Sequence, residues 1–222
     1  MRKMNVSSEF LKWFAVLTMT VDHIDRICVK IGWLHDTLGR VAFPLFSFLL
    51  LSNFIAYHPV KKYLVRLGGF ALITQILFFL FHFESKNVLF SFFYAVLFIS
   101  ATEKISSVFK SVYVQFYFEI LLLIGLLPFV LIADYGLTGF LFLLALYAYL
   151  RKKTPTNCVA VLLTGIAMNA YGIFPILMSL LTLVLLMFCI QIVRKRRLMR
   201  WWFFYLYYPL HKLLLYALSC LS

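Results

Sequence analysis

From Phe10 to Cys220 the chain is a succession of nine apolar stretches, each about 15–21 residues long, divided by short polar breaks. Stretches of that length match the hydrocarbon core of a bilayer, where a helix satisfies its own backbone polar groups. With 64% hydrophobic residues, 13% charged residues and a mean hydropathy of +0.96, no soluble domain of this size hides its apolar surface. The fold expected is all-α: a polytopic integral membrane helical bundle of about nine transmembrane helices. The spans are expected at 10–30, 40–57, 63–82, 88–102, 111–132, 136–150, 157–171, 173–193 and 201–220. They make a single transmembrane domain over residues 1–222, with no linker and no internal repeat. The first stretch is too long and too polar at its end for a signal-peptide core, so it is expected to be retained.

The net charge of +13 follows topology. With the N-terminus placed in the cytoplasm, Arg2, Lys3, Lys12, Lys61, Lys62, Arg66, Lys104, Lys110, Arg151, Lys152, Lys153, Arg194, Lys195, Arg196, Arg197 and Arg200 all fall at cytoplasmic ends. That is sixteen of the 21 basic residues, and the positive-inside rule then gives an N-in, C-out chain. Nucleic-acid binding is excluded, since the basic residues are dispersed and no reading module is present. Cys28, Cys158, Cys189 and Cys220 lack metal-ligand spacing and read as small apolar residues, so no metal site is expected.

Against that background the end of the first span is anomalous. Asp22, His23, Asp25 and Arg26 lie in its outer half, where ionisable groups are costly and persist mainly at functional sites. On a helix Thr18, Asp22, Asp25 and Arg26 share one face with His23 at its edge, and Asp22 and Arg26 are placed to pair. Asp22 or Asp25 is also suited to orient an imidazole on an adjacent helix. The competing reading is a polar network used only for packing. The second span opens Gly39-Arg40-Val41-Ala42-Phe43-Pro44, where proline is expected to start or kink the helix beside the Arg40 guanidinium. His35 and Asp36 precede it in an outer loop and read as solvated.

Lys62 and Arg66 are i,i+4 at a cytoplasmic helix start, a spacing suited to the phosphates of an anionic cofactor or to ordinary topology. His58 in the loop before them carries little signal. Gln115 and Glu119 read as an interhelical hydrogen-bonding pair. Asp134 reads as an N-cap. In the last span Tyr205, Tyr208, Pro209, Lys212 and Tyr216 form a stripe with His211 beside it, Trp201 and Trp202 mark the cytoplasmic interface, and His211 and Lys212 lie near mid-membrane. No Gly-rich phosphate loop, HExxH, GxSxG or SxxK is present, so nothing marks a protease, lipase or P-loop ATPase.

Six blocks, in order, carry a family resemblance: LTMTVDHIDRI, GRVAFPLFSFLLLSNF, HPVKKYLVRLGGFALITQI, KNVLFSF, DYGLTGFLFLL and WWFFYLYYPLHKLLLY. Over nearly the whole chain they resemble the TraX family of bacterial membrane proteins, whose founding activity is N-terminal acetylation of conjugative pilin. That family is distantly similar to membrane acyltransferases of the acyltransferase-3 type, which acetylate glycans from cytoplasmic acetyl-CoA. One departure is the stretch before the last span. The family commonly has Tyr-Asn-Gly and a basic-Gly pair there, and this chain has IVRKRRLMRWW.

The resemblance implies an acetyl-CoA-dependent acetyltransferase of the bacterial cytoplasmic membrane. It implies Asp22 and His23 as the catalytic pair, with His211 as a rival base. It implies Arg40, Lys62 and Arg66 for the donor, and Arg26, Asn87, Asp134 and Tyr208 for the acceptor. The acceptor implied is the terminal amine of a pilin-like or secreted peptide, with membrane lipid as surroundings. The alternatives are O-acetylation of a cell-surface glycan, a proton-coupled solute transporter running through Asp22, Asp25, Glu119 and His211, and a non-enzymatic envelope scaffold.

Overall fold

The computed structural model describes residues 4–57, 60–82, 86–193, 200 and 202–220. His58, the basic run 194–197 and Trp201 lie outside the described residues. The described chain is helical: α1 (Ser8–Ile24), α2 (Trp33–Asp36), α3 (Gly39–Tyr57), α4 (Val60–Leu80), α5 (Val88–Val108), α6 (Val112–Ile132), α7 (Gly136–Arg151), α8 (Pro155–Met168), α9 (Ile173–Val184) and α10 (Phe203–Ser219). Single π-helical turns at Asp25–Val29 and Leu185–Cys189 extend α1 and α9. Two short strands, β1 (Met4–Ser7) and β2 (Ile190–Val193), complete the fold.

Four of these segments, Trp33–Tyr57, Val60–Leu80, Val88–Val108 and Val112–Ile132, are long and apolar enough to cross a membrane, which makes this a membrane protein. Gly136–Arg151, Pro155–Met168 and Ile173–Cys189 are apolar but shorter. At 1.5 Å per residue the sixteen residues of α7 reach about 24 Å, short of a hydrocarbon core of about 30 Å. α6 shows what lipid does to packing. Of its 21 residues only Val130 is buried, a pattern that water would not tolerate and acyl chains do.

The chain divides into two compact units, residues 1–53 with 161–222, and residues 54–160. In the second unit the buried face of α4 reads Leu67, Ala71, Thr74, Phe78, the 4-3-4 spacing of one helical stripe. α5 contributes Leu89, Phe92, Ala95, Val96 and Ile99, and α7 contributes Phe140, Phe142, Leu143 and Leu146. In the first unit α1 buries Leu11, Ala15, Val16 and Met19 through its first four turns. Its last turn buries Asp22 and His23 instead. The buried residues of α10 are Tyr208, Pro209, His211 and Lys212, so the contact between α1 and α10 becomes polar at one level.

Helix ends depart from the expected spans most in the first unit, while in the second α5 runs on to Val108. The span expected over 173–193 is helical only to Val184, takes one π turn to Cys189 and then extends as β2. β2 pairs in parallel with β1, Met4 opposite Ile190 and Ser7 opposite Val193. Ile190, Ile192 and Val193 are β-branched, and β1 supplies the partner that lets them leave the helix. Ser7 ends β1 and caps α1, its Oγ accepting from Phe10 N at 3.1 Å. The span expected over 10–30 is α-helical only to Ile24. Lys30 N then donates to Asp25 O at 2.6 Å, an i→i+5 bond, and Lys30 itself is left-handed with φ 58°.

Candidate functional site

The turn after α1 is built around Asp25. Left-handed backbone at Lys30 (φ 58°) and Gly32 (φ 84°) reverses the chain, and glycine suits the second position because it has no Cβ. The reversal aims three backbone N–H groups at one carboxylate. Asp25 Oδ1 accepts from Ile31 N and Gly32 N, both at 3.0 Å, and Oδ2 accepts from His35 N at 2.8 Å. Asp25 is fully buried. It is therefore the core of a turn, and the turn carries α2 back against the end of α1.

That return places His35 on the site, which corrects its reading as a solvated loop residue. Its Nδ1 is hydrogen-bonded to Asp22 Oδ1. Arg40, at the start of α3, donates from Nε to His35 O at 3.2 Å and from Nη2 to the ring at Nε2. Arg26 Nε is 2.7 Å from His35 Nδ1 and 3.5 Å from Asp22 Oδ1, so the expected i,i+4 pairing of Asp22 with Arg26 is present. The Arg40 guanidinium lies over the Tyr171 ring, 5.2 Å from its centroid, which adds an aromatic wall that the sequence reading did not name. Pro44 lies inside α3, which starts at Gly39, so the proline does not open the helix.

His23 faces the other way, toward α10. His23 Nδ1 is 2.6 Å from His211 Nε2, with ring centroids 4.8 Å apart. His211 Nδ1 is 2.6 Å from Tyr207 O. The Tyr207 ring stacks on His211 at 4.7 Å, and its hydroxyl is 2.8 Å from Thr20 Oγ1. Tyr208 stands 6.2 Å from both imidazoles and accepts from Lys212 Nζ at 3.2 Å. Thus the expected cluster of Asp22, His23, Arg26, Arg40, Tyr208 and His211 is brought together in one unit, with His35 and Tyr171 added.

Two polar atoms at its centre have no hydrogen-bond partner among the described residues. His23 Nε2 and Asp22 Oδ2 are 3.8 Å apart, beyond a direct hydrogen bond, and no described donor reaches either. Both residues are 8% exposed. Asp22 is held there partly by a missing side chain: a Cβ on Gly39 would stand 2.9 Å from Asp22 Cγ.

The remaining expected residues lie in the second unit. Asn87 is buried and caps α5, accepting from Leu89 N at 3.1 Å, while its Nδ2 donates to Ala71 O of α4 at 2.9 Å. Asp134 is not the N-cap of α7. Tyr135 holds that position with φ 61°, and Asp134 Oδ1 accepts from Tyr135 N at 3.1 Å. The Asp134 carbonyl accepts from Ser91. Lys62 is exposed and Arg66 half-buried, one turn apart at the start of α4. Gln115 of α6 donates from Nε2 to the carbonyl of Phe109, the C-cap of α5, at 2.6 Å, so it ties the start of α6 to the end of α5. Tyr147 of α7 donates to Glu103 of α5, a pair the sequence reading passed over. Among the described residues no group of three His, Cys, Asp or Glu side chains is placed to hold a metal ion.

No curated protein and no solved structure matches the chain. The family model described as TraX protein matches residues 7–219, which takes in every element of the site above. The chain belongs to the TraX protein family.

Proposed function

We propose that the protein is an integral acetyl-CoA-dependent acetyltransferase of the bacterial cytoplasmic membrane, acting on the terminal amine of a pilin-like or secreted peptide at the outer face. The observation that carries this reading is the pair of atoms without a described partner, His23 Nε2 and Asp22 Oδ2, 3.8 Å apart, which are both acceptors when the His23 hydrogen is on Nδ1. A nitrogen lying about 2.9 Å from each donates one hydrogen to each. A primary amine has two hydrogens to give, and a hydroxyl has one. An amine therefore meets both atoms, and a glycan hydroxyl meets only one.

In this reading the amine attacks the thioester carbonyl carbon. The N–C bond forms, the C–S bond breaks, His23 Nε2 takes the proton from nitrogen, and the His23 imidazolium returns that proton to the leaving thiolate, giving the thiol of CoA and neutral His23. Asp22 holds the amine and favours positive charge on it as the bond forms. Arg26 is the freer of the two guanidiniums for the developing oxyanion, since Arg40 is spent on His35 and Tyr171. His23 is preferred to His211 as base because both ring nitrogens of His211 are engaged. Lys62 and Arg66 are the candidates for the donor's phosphates, entering from the cytoplasm in a nine-span, N-in and C-out chain whose basic residues follow that alternation. A proton path through Asp25 gains no support, because its carboxylate is taken up by three backbone N–H groups.

The test is mass spectrometry of secreted peptides and envelope glycans from cells carrying the wild type or His23→Ala. Loss of acetyl groups from peptide N-termini in the variant supports the reading. Loss confined to glycan hydroxyls overturns the choice of acceptor, and an unchanged pattern with folded protein overturns the enzyme.

A further inference from the structure

We infer that His211 is a positioning residue that selects the tautomer of His23, holding hydrogen on Nδ1 and the lone pair on Nε2. A carbonyl oxygen only accepts, so Tyr207 O at 2.6 Å requires hydrogen on His211 Nδ1. In the neutral ring His211 Nε2 is then an acceptor. His23 Nδ1 lies 2.6 Å from it, so that contact requires hydrogen on His23 Nδ1. The lone pair of His23 falls on Nε2, the nitrogen that faces Asp22 Oδ2.

Neighbouring contacts hold the rings in this relation. Thr20 Oγ1 donates to Val16 O at 2.8 Å, so the Tyr207 hydroxyl is the donor to Thr20 across their 2.8 Å contact. That bond ties α10 to α1 one turn away from the imidazole pair. Tyr207 lies against His211 with rings 13° from parallel, and His23 meets the edge of His211 through the nitrogen contact, the two imidazole planes 28° apart. Rotation of His211 about its ring axis would give up both the Tyr207 and the His23 bonds. The Tyr207 carbonyl also ends the chain of hydrogen bonds, since it has no proton to pass on. His211 therefore orients and polarises His23, and does not conduct protons away from it.

The catalytic consequence rests on the reading of His23 as the base, but the tautomer does not, and the experiment separates the two. The full chain is labelled with 15N-histidine, purified in detergent and examined by NMR, where ring nitrogens with and without hydrogen are distinguished by shift. The His23 signals are identified by their loss in His23→Gln. Expected for the wild type is hydrogen on Nδ1 and none on Nε2. His211→Leu removes the acceptor, and His23 reverts to the Nε2–H form that free imidazole prefers. His211→Gln supplies an amide oxygen and retains the wild-type form. Acetyl transfer follows: kcat falls about 10²-fold in His211→Leu, within the range of general-base effects, with the acceptor's KM little changed, and His211→Gln recovers most of it.

A wild-type His23 with hydrogen on Nε2, or on both nitrogens, overturns the inference, as does an unchanged His23 in His211→Leu. Should that variant fail to fold, the wild-type and His211→Gln spectra decide. The expected tautomer in a protein that transfers no acetyl group would sink the proposed reaction and leave the role of His211 standing.

Discussion

Gly39 and Asp22 occupy one steric niche: the bare α-carbon of the first residue of α3 faces the carboxylate at the end of α1. A Cβ there would lie 2.9 Å from Asp22 Cγ and 3.0 Å from Asp22 Cβ. Neither Asp22 nor the start of α3 has room to yield, because Asp22 is also bonded to His35, which Arg40 holds. Gly39→Ala is expected to destabilise the protein by about 1–3 kcal/mol, the usual cost of overpacking, despite its better helix propensity. Gly125→Ala in α6 meets nothing within 4 Å and should be neutral or stabilising by about 0.5–1 kcal/mol. Thermal melting of the two detergent-purified variants compares them directly. Equal melting temperatures would remove Gly39 from the list of residues that shape the site.

Asp25 makes a second prediction that separates structure from proton transport. Removing its carboxylate in Asp25→Ala orphans three backbone N–H groups in a buried turn, a loss of about 2–5 kcal/mol. Asp25→Asn keeps an oxygen for Ile31 and Gly32 and should cost roughly half as much. Limited proteolysis reads the outcome locally: the segment from Asp25 to Asp36 becomes cleavable in the alanine variant and stays largely protected in the asparagine variant. A carboxylate that carried protons would show the reverse, with folding unaffected by alanine and activity lost in both.

What the sequence made legible is set by the range of the interactions involved. The interior helices α3 to α7 follow from apolar length and from local punctuation such as Asn87, which caps α5 within two residues of itself. Expected starts and ends there agree with the structure to within a few residues, except that α5 continues to Val108. Asp22, His23, Arg40 and His211 were legible as a group because a charge in an apolar run is conspicuous by its cost. The strand pairing of β1 with β2 was not, since a β-branched run such as Ile190–Val193 reads equally as the end of an apolar span. His35 was missed for a related reason. Its place depends on two left-handed residues, Lys30 and Gly32, and on a carboxylate ten positions earlier. The isolated Gly32 between Ile31 and Trp33 was the one local sign of that reversal.

Asn87 tests how far the family resemblance carries residue by residue. The resemblance marks it for the acceptor, yet its side chain caps α5 and clamps the Ala71 carbonyl of α4 while only 2% exposed. Asn87→Ala is expected to lower stability by about 1–2 kcal/mol, combining a lost cap with the lost bond to the Ala71 carbonyl. At a temperature where the variant remains folded, acetyl transfer should keep its wild-type KM. A raised KM at unchanged melting temperature would return Asn87 to the acceptor site.

Arg40→Lys is expected to behave as a severe change. The guanidinium bonds the His35 carbonyl and imidazole while its face lies over Tyr171, and an ammonium has neither the planar fork nor the flat face to do both. His35 then loses its brace, and Asp22 with it. Acetyl transfer should fall about tenfold or more, the equivalent of 1.4 kcal/mol or more. Tyr171→Phe keeps the ring and should keep most of the activity, whereas Tyr171→Ala should approach the lysine variant. Measuring kcat and KM for the three variants decides whether the aromatic face or the Tyr171 hydroxyl matters to Arg40.

Lys62 and Arg66 bring the donor within reach of a binding measurement that needs no acceptor. A ligand that binds only the folded protein stabilises it by RT ln(1 + [L]/Kd), about 2.7 kcal/mol at a hundredfold excess over Kd. Acetyl-CoA is therefore expected to raise the melting temperature of the detergent-purified protein, and free acetate to leave it unchanged. The exposed Lys62 and the half-buried Arg66 are not equivalent partners for phosphate. An exposed ammonium is strongly hydrated and screened, whereas a guanidinium pairs with phosphate through two parallel bonds. Arg66→Ala should abolish the shift, and Lys62→Ala should only reduce it. A shift that survives both substitutions would place the donor elsewhere, and a shift with acetate alone would mean that the phosphates are not what the protein recognises.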